Sequence, residues 1–338
     1  MEFEYSRANP RVTVAFASFE AMHTVLEGVV TDLDEPAARQ LFASIETRVR
    51  EIESRLNRHD PASLFARINA SRGREAVPLD EETYVLLQLA ELFRRTTDGY
   101  FDLAALSDRS VGSVTGSGSV TETGDMAGSG GMAGFGGVTG VGGATGPEGV
   151  AGPGDKTGPG GATEDRRGAA SGAAAGGKMA DTPGCVLDPA TRSVRLTGEG
   201  VRLDAGGFGK GYALERIRPL LTEAGVRRAL FNFGDSSVMS VGTHPLGDCW
   251  PVGAAAGGEP FRLVGTSLSI SGLHPDGRAH IVDPMSGRWV GRRTMVAVEG
   301  RSAFLCEVLS TALYAAPEER RTTIAARFEG YRYTEIEM

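Results

Sequence analysis

Apolar and polar positions along the chain alternate between two periods. From Arg11 to Phe19 the run Val-Thr-Val-Ala-Phe-Ala-Ser-Phe partly alternates, and Val25 to Val30 is apolar again after Met22-His-Thr24, which predicts two early strands able to pair as a hairpin. A period near 3.6 follows. Asp34 stands as a cap before Glu35-Pro36, and Leu41, Ile45, Val49 and Ile52 recur at helical spacing to about Leu56. Leu64 to Ile68 predicts a short helical turn, and Val85, Leu86, Leu89 and Phe93 mark a helix from about Asp80 to Thr97-Asp-Gly99. Beyond the middle of the chain short strands are expected at Cys185, Ser193, Val201 to Asp204, Ala229 to Phe233, Val238 to Val241, Trp250, Leu263 to Ser271 and Thr294 to Val298. Two helices break that series. One carries Leu214, Ile217, Leu220 and Leu221, and the other carries Phe304, Leu305, Val308, Leu309, Ala312 and Leu313 before Pro317. The pattern predicts an α+β fold, strands dominating, with helices at the edges.

One stretch carries neither period. Half of the chain's 48 glycines lie between Gly112 and Gly177, among Ser, Thr, Ala and Pro and without an apolar face. Such a segment cannot offset its ordering entropy by burial, so residues 108–182 are expected to be a disordered insertion without catalytic role inside one folded domain spanning 11–338.

Composition narrows the classes of function. With 41% hydrophobic residues in a chain of 338, a substantial core is available. A net charge of -8 argues against nucleic acid or an anionic membrane as the main partner. Cys185, Cys249 and Cys306 are far apart and odd in number, which points to neither a disulfide framework nor a zinc site. The polar, acidic first residues lack the pattern of a signal peptide, and no lipobox or membrane-length apolar run is seen, so a cytoplasmic location without a membrane span is expected. Arginine replaces lysine almost everywhere. Lys156 and Lys178 belong to the glycine-rich stretch, leaving Lys210 as the lysine of the folded part.

Lys210 sits in the most distinctive chemistry of the chain. An acid, Asp204, is followed by glycines at 206, 207, 209 and 211 around Lys210, and then by a helix. Bare backbone admits a ligand closely and a helix start favours an anion, so a phosphorylated ligand is expected at this turn. It is not a Walker loop, because Gly211 rather than Ser or Thr follows the lysine, and the glycine spacing is not that of a dinucleotide fingerprint. On the last apolar helix Glu307 and Thr311 stand four apart, on one face, as hard oxygen donors suited to magnesium. His280 with Asp283 is a candidate base with an orienting partner.

Several separated motifs in order make the chain similar to the ApbE family of FAD:protein FMN transferases. Asp204-Ala-Gly-Gly-Phe-Gly-Lys-Gly-Tyr-Ala213 resembles the family's Asp-Leu-Gly-Gly-Ile-Ala-Lys-Gly-Tyr-Ala, and His280-Ile-Val-Asp-Pro-Met-Ser-Gly287, after Ser271-Gly272, resembles its His-Ile-Ile-Asp-Pro-x-Thr-Gly. Glu307-Val-Leu-Ser-Thr-Ala-Leu313 is similar to Asp-Ala-Leu-Ala-Thr-Ala-Leu, and Met22-His-Thr24, Ser63 to Asn69 and Thr97-Asp-Gly-Tyr-Phe-Asp102 resemble upstream family segments. The resemblance implies a mixed or antiparallel, T-fold-like sheet with flanking helices. It implies FAD as substrate, held by Met22, Thr24, Asp102, Asp204, Gly206, Gly207, Lys210, Gly211, Asp235, Ser271, Gly272 and His280, and Mg2+ held by the Gly209 carbonyl, Glu307 and Thr311. His280 would be the catalytic base that takes the proton of a Ser or Thr hydroxyl on an acceptor protein bearing a flavinylation motif; FMN is transferred and AMP leaves. The chain departs from the family where Glu307 replaces an Asp, Leu64 a Glu, and Gly234-Asp235 a Gly-Gly-Asp, and His59 stands where an aromatic is expected. The alternatives are an FAD pyrophosphatase yielding FMN and AMP, or a flavin-binding homologue without activity.

Overall fold

The computed structural model describes residues 1–9, 11–105, 184–198, 200–254, 257–274 and 276–337. The glycine-rich segment of 108–182 lies outside them. The described chain contains strands β1 (Glu2–Asn9), β2 (Val12–Ala21), β3 (Thr24–Thr31), β4 (Val77–Pro78), β5 (Cys185–Asp188), β6 (Ser193–Leu196), β7 (Ala229–Phe233) and β8 (Ser237–Val241). They are followed by β9 (Trp250–Val252), β10 (Phe261–Leu263), β11 (Ser267–Ser271), β12 (Val282–Asp283), β13 (Arg288–Trp289), β14 (Thr294–Gly300) and β15 (Arg332–Glu337). The helices are α1 (Glu35–Leu56), α2 (Leu64–Ser71), α3 (Glu81–Thr96), α4 (Gly209–Glu223), α5 (Ala303–Ala315) and α6 (Glu318–Ala325).

An eight-stranded sheet in the order β1-β2-β3-β7-β8-β11-β14-β15 forms the frame, its neighbours antiparallel throughout. Strand β7 shows how both faces are used. Its five residues are all buried, and alternate side chains divide between two cores: Ala229, Phe231 and Phe233 join the large cluster under α1 and α4, whereas Leu230 joins Val238, Trp250, Leu263 and Leu268 on the opposite face. The β9–β10 hairpin covers that second face through Trp250 and Leu263. A sequence read for one-sided alternation therefore shows an apolar run here, interrupted at Asn232.

Helix α1 forms as its pattern dictates. The Asp34 carboxylate accepts from the Ala37 N–H at 2.8 Å, Pro36 sits in the first turn, and Ala38, Leu41, Phe42, Ile45, Val49, Ile52 and Leu56 make one buried stripe. Three corrections to the sequence pattern arise. Strands β1 and β15 pair at opposite edges of the sheet, α6 follows Pro317, and Val201 to Asp204 is not a strand but an irregular extended segment. Its backbone is satisfied by the Asn69 amide, which accepts from the Leu203 N–H at 2.7 Å and donates to the Leu203 carbonyl at 3.0 Å.

Glu82 at the start of α3 ties three helices together. Its carboxylate accepts from Arg48, from Arg55 at 2.5 Å and from the Tyr212 hydroxyl at 2.7 Å, with Arg216 at 3.0 Å. Burial pushes this carboxyl up, but the hydrogen bonds of Arg48, Tyr212 and Arg55 win and lower it from 4.5 to about 2. Because the folded pKa is the lower one, the stabilisation is complete above pH 4.5 and is lost as pH falls toward 2. Glu82→Gln is expected to cost about 2 kcal/mol at pH 7, after allowance for solvent screening, and much less near pH 2.5. Urea midpoints at the two pH values measure it; an equal loss at both would show that the charge is not responsible.

Candidate functional site

The site is built where the N-terminus of α4 meets one face of α5. The turn Ala205 to Phe208 leads into α4 with Phe208 and Gly209 N–H groups donating to the Ala205 carbonyl at 3.1 and 2.7 Å. No side chain of α4 caps this start. The Gly211 N–H, one of the groups a helix start leaves without an intrahelical partner, donates instead to Glu307 Oε2 across the α4–α5 contact. The same carboxylate meets the Lys210 ammonium through Oε1 at 2.7 Å and accepts from the Ser237 hydroxyl at 3.3 Å. Glu307 is buried, whereas Lys210 is partly open to solvent. One turn along α5, Thr311 donates to the Gly207 carbonyl at 3.2 Å. Glu307 and Thr311, which their spacing puts on one face of the helix, both meet the glycine turn.

Glycine is required by space at Gly211. A Cβ there would lie 2.4 Å from the Ala303 carbonyl oxygen and 2.9 Å from Glu307 Oε2. At Gly209 the nearest atoms would be Ala205 Cβ at 3.6 Å and Met22 Sδ at 3.8 Å, which brings Met22 to the turn. Met22 and His23 form the two-residue loop between β2 and β3, both left-handed, with φ of 50° and 62°. Neither is a residue that adopts this conformation freely, so the loop carries strain of about 1 kcal/mol or more at each. The Glu53 carboxylate holds it by accepting from the Met22 N–H at 2.8 Å.

The other predicted positions fall around this centre in distinct ways. Asp204 pairs with Arg58 at 3.1 Å and accepts from the Gly206 N–H at 3.2 Å, so it shapes the turn. Thr24 packs against Gly234, where a Cβ would come within 2.8 Å of it, and Asp235 accepts from Asn232 at 2.9 Å. Ser271 donates to Ser310 at 2.9 Å beneath α5, and Gly272 lies against Met295. Asp102 accepts from the Ala104 N–H at 2.8 Å; burial raises its pKa, opposed by that bond and by Arg94. His280 is exposed and stands edge-on to His274, with ring centroids 6.2 Å apart. Its pKa is lowered by partial desolvation, then by charge repulsion from His274 and Lys210, which favours the neutral imidazole. Asp283 does not serve as its partner: that carboxylate accepts from the Met285 N–H at 2.9 Å and the Ser286 hydroxyl at 2.6 Å and closes its own turn.

Sequence reasoning missed Ser237, Glu53 and Arg58. The signal for Ser237 was present, since it lies two residues from Met239 on β8 and shares its helix-facing side.

Comparison with known proteins follows the same outline. The solved ApbE protein of Thermotoga maritima superimposes with a TM-score of 0.66 at 19% identity, covering 99% of this chain and 94% of that one. The flavin transferase ApbE of Vibrio cholerae gives 0.63 at 14% identity, over 96% of this chain and 97% of its own. Among curated proteins, the FAD:protein FMN transferase of Klebsiella pneumoniae (strain 342) is 35% identical over 120 residues, 30% of this chain and 34% of that protein. That of Rhodobacter capsulatus is 31% identical over 147 residues, 40% of this chain and 28% of its own length. The aligned stretches thus span about a third of the curated relatives.

Fold and site together define an α+β protein in which a glycine-rich helix start shares a buried carboxylate with a second helix. The ApbE family model matches residues 22–111 and 171–333, and the chain belongs to that family. Among the described residues no helix is long and apolar enough to cross a membrane.

Proposed function

We propose that this chain transfers FMN from FAD to a Ser or Thr hydroxyl of an acceptor protein and releases AMP. The observation that carries the reading is the convergence of Lys210, Glu307 and Thr311 on the Gly206–Gly211 turn. Family membership and relatives described as FAD:protein FMN transferases support it.

In this reading the turn and Lys210 hold the diphosphate of FAD, with Met22, Thr24, Asp102, Asp204, Asp235, Ser271 and Gly272 shaping or lining the site. A magnesium ion fits the donor set. Glu307, Thr311 and the Gly209 carbonyl are hard oxygens, and Glu307 Oε1 already stands 2.7 Å from a cation, the Lys210 ammonium. Among the described residues there is no group of three or more His, Cys, Asp or Glu that could hold a metal ion. When bound, the ion supplies positive charge to the diphosphate as the phosphoanhydride breaks.

His280 Nδ1 or Nε2, neutral at pH 7, takes the proton of the acceptor hydroxyl as its oxygen bonds to the FMN phosphorus. The bond from that phosphorus to the bridging oxygen breaks, and AMP departs with the bridging oxygen. Lys210 stays against the phosphate oxygens and balances the charge that builds there.

Incubation with FAD, Mg2+ and a candidate acceptor tests the proposal through AMP release and protein-bound flavin fluorescence. AMP with labelled acceptor is the expected result. AMP with free FMN would indicate hydrolysis instead, and absence of AMP would remove both enzyme readings.

A further inference from the structure

The Lys210–Glu307 pair has a consequence beyond holding ligand and ion separately. The carboxylate is clamped at two points by the Gly211 N–H and the Ser237 hydroxyl, and its Oε1 is pressed against the Lys210 ammonium at 2.7 Å. With Glu307 buried on α5 and Lys210 on the first turn of α4, this carboxylate is the ion-pair partner of the ammonium. A divalent cation arriving at Oε1 meets a lysine already there, and two cations on one buried carboxylate repel strongly. A diphosphate removes the conflict. It supplies negative oxygens to draw the ammonium away and to complete the coordination of the metal.

We infer that Lys210 makes cation loading conditional on the diphosphate, so that the site takes the metal together with a phosphorylated ligand and excludes the bare ion. This rests on the proposed reading of the ligand as a dinucleotide diphosphate, but its central comparison needs no flavin. Ser237 acts as a positioning residue, keeping Oε1 at the ammonium. The longer Glu307 side chain, in place of the family's Asp, reaches Lys210 from a helix that Gly211 allows to approach closely.

Mn2+ is the probe, because it accepts the same hard oxygen donors and its free aquo ion is counted by electron paramagnetic resonance. The full chain is titrated with Mn2+ alone and with saturating FAD, alongside Lys210→Met and Lys210→Arg, each checked for an unchanged circular-dichroism melt. Wild type is expected to bind Mn2+ at least about tenfold tighter with FAD present, within the usual range of coupling between two ligands. Lys210→Met should bind Mn2+ alone about tenfold tighter than wild type does, whereas Lys210→Arg stays weak. Equal Mn2+ affinity of wild type with and without FAD would overturn the inference. So would a Lys210→Met chain that binds Mn2+ no tighter than wild type. Should the chain release no AMP in the acceptor assay, the Lys210→Met comparison still decides whether the lysine excludes the ion.

Discussion

For the proposed reaction, Glu307→Gln is expected to lower Mg2+-dependent AMP release by a factor of about 100 to 1,000 while leaving the thermal melt within a few degrees of wild type. The change is nearly isosteric. The amide oxygen still accepts from the Gly211 N–H, and the side chain still fills the contact between α4 and α5. What disappears is the negative charge that faces Lys210 and would face a metal. Glu307→Ala is a poorer probe, because it also leaves the Gly211 N–H, the Ser237 hydroxyl and the ammonium without their acceptor, at a cost of about 1–3 kcal/mol per buried group. Comparing the two separates charge from support. Turnover unchanged in Glu307→Gln, measured as AMP per minute at saturating FAD, would remove Glu307 from the reaction.

The parts of the fold that follow a single periodicity were legible. Helix α1 is the clearest, with its cap, proline and stripe all present in the sequence and all realised between Glu35 and Leu56. The β2–β3 hairpin was also visible, although its left-handed loop residues Met22 and His23 give no turn signal of the usual Asn-Gly kind and the loop is tied down through the Met22 N–H to Glu53. What stayed hidden depends on partners far along the chain. Strand β1 is polar and half-exposed because it is an edge, and β15 is so for the same reason at the other edge. Val201 to Asp204 looks like a strand, yet the Asn69 side chain takes the place of a neighbouring strand.

Strand β11 shows the limit most clearly. Ser267, Ser269 and Ser271 alternate with Leu268 and Ile270, a pattern that ordinarily turns serine to water. In this fold the serine side is the one under α5. Ser269 and Ser271 bond to the Ser310 hydroxyl at 3.0 and 2.9 Å, and Ser310 donates to the Glu307 carbonyl at 3.1 Å. The predicted binding residue Ser271 is therefore part of a buried hydroxyl network that seats the helix carrying Glu307 and Thr311. The motifs in the sequence single out Lys210, Glu307 and Thr311, but only the packing shows that Glu307 and Lys210 touch and that Thr311 reaches the Gly207 carbonyl.

The glycines around Lys210 differ in what they tolerate, and the differences predict a graded series. Gly209→Ala should melt within about 0.5 kcal/mol of wild type, because its Cβ would find ordinary contacts at 3.6 Å or beyond. Gly207→Ala would place a methyl 3.2 Å from Thr311 Cγ2; that side chain must yield by a few tenths of an ångström, which should cost up to about 1 kcal/mol. Gly211→Ala is the severe case. Its Cβ would stand 2.4 Å from the Ala303 carbonyl oxygen, a backbone atom that has no rotamer to change. The start of α5 cannot slip aside easily, because the Ala303 N–H is bound to Glu215 of α4 at 2.9 Å and Ser302 caps the helix. The helices must separate, at a cost of about 3 kcal/mol, or roughly 10 °C in Tm. Separation also draws Glu307 away from Lys210, so FAD-linked Mn2+ binding should fall with the melt rather than independently of it. A Gly211→Ala chain that melts with wild type would mean that α4 and α5 do not approach this closely, and the clamp on Glu307 would lose its basis.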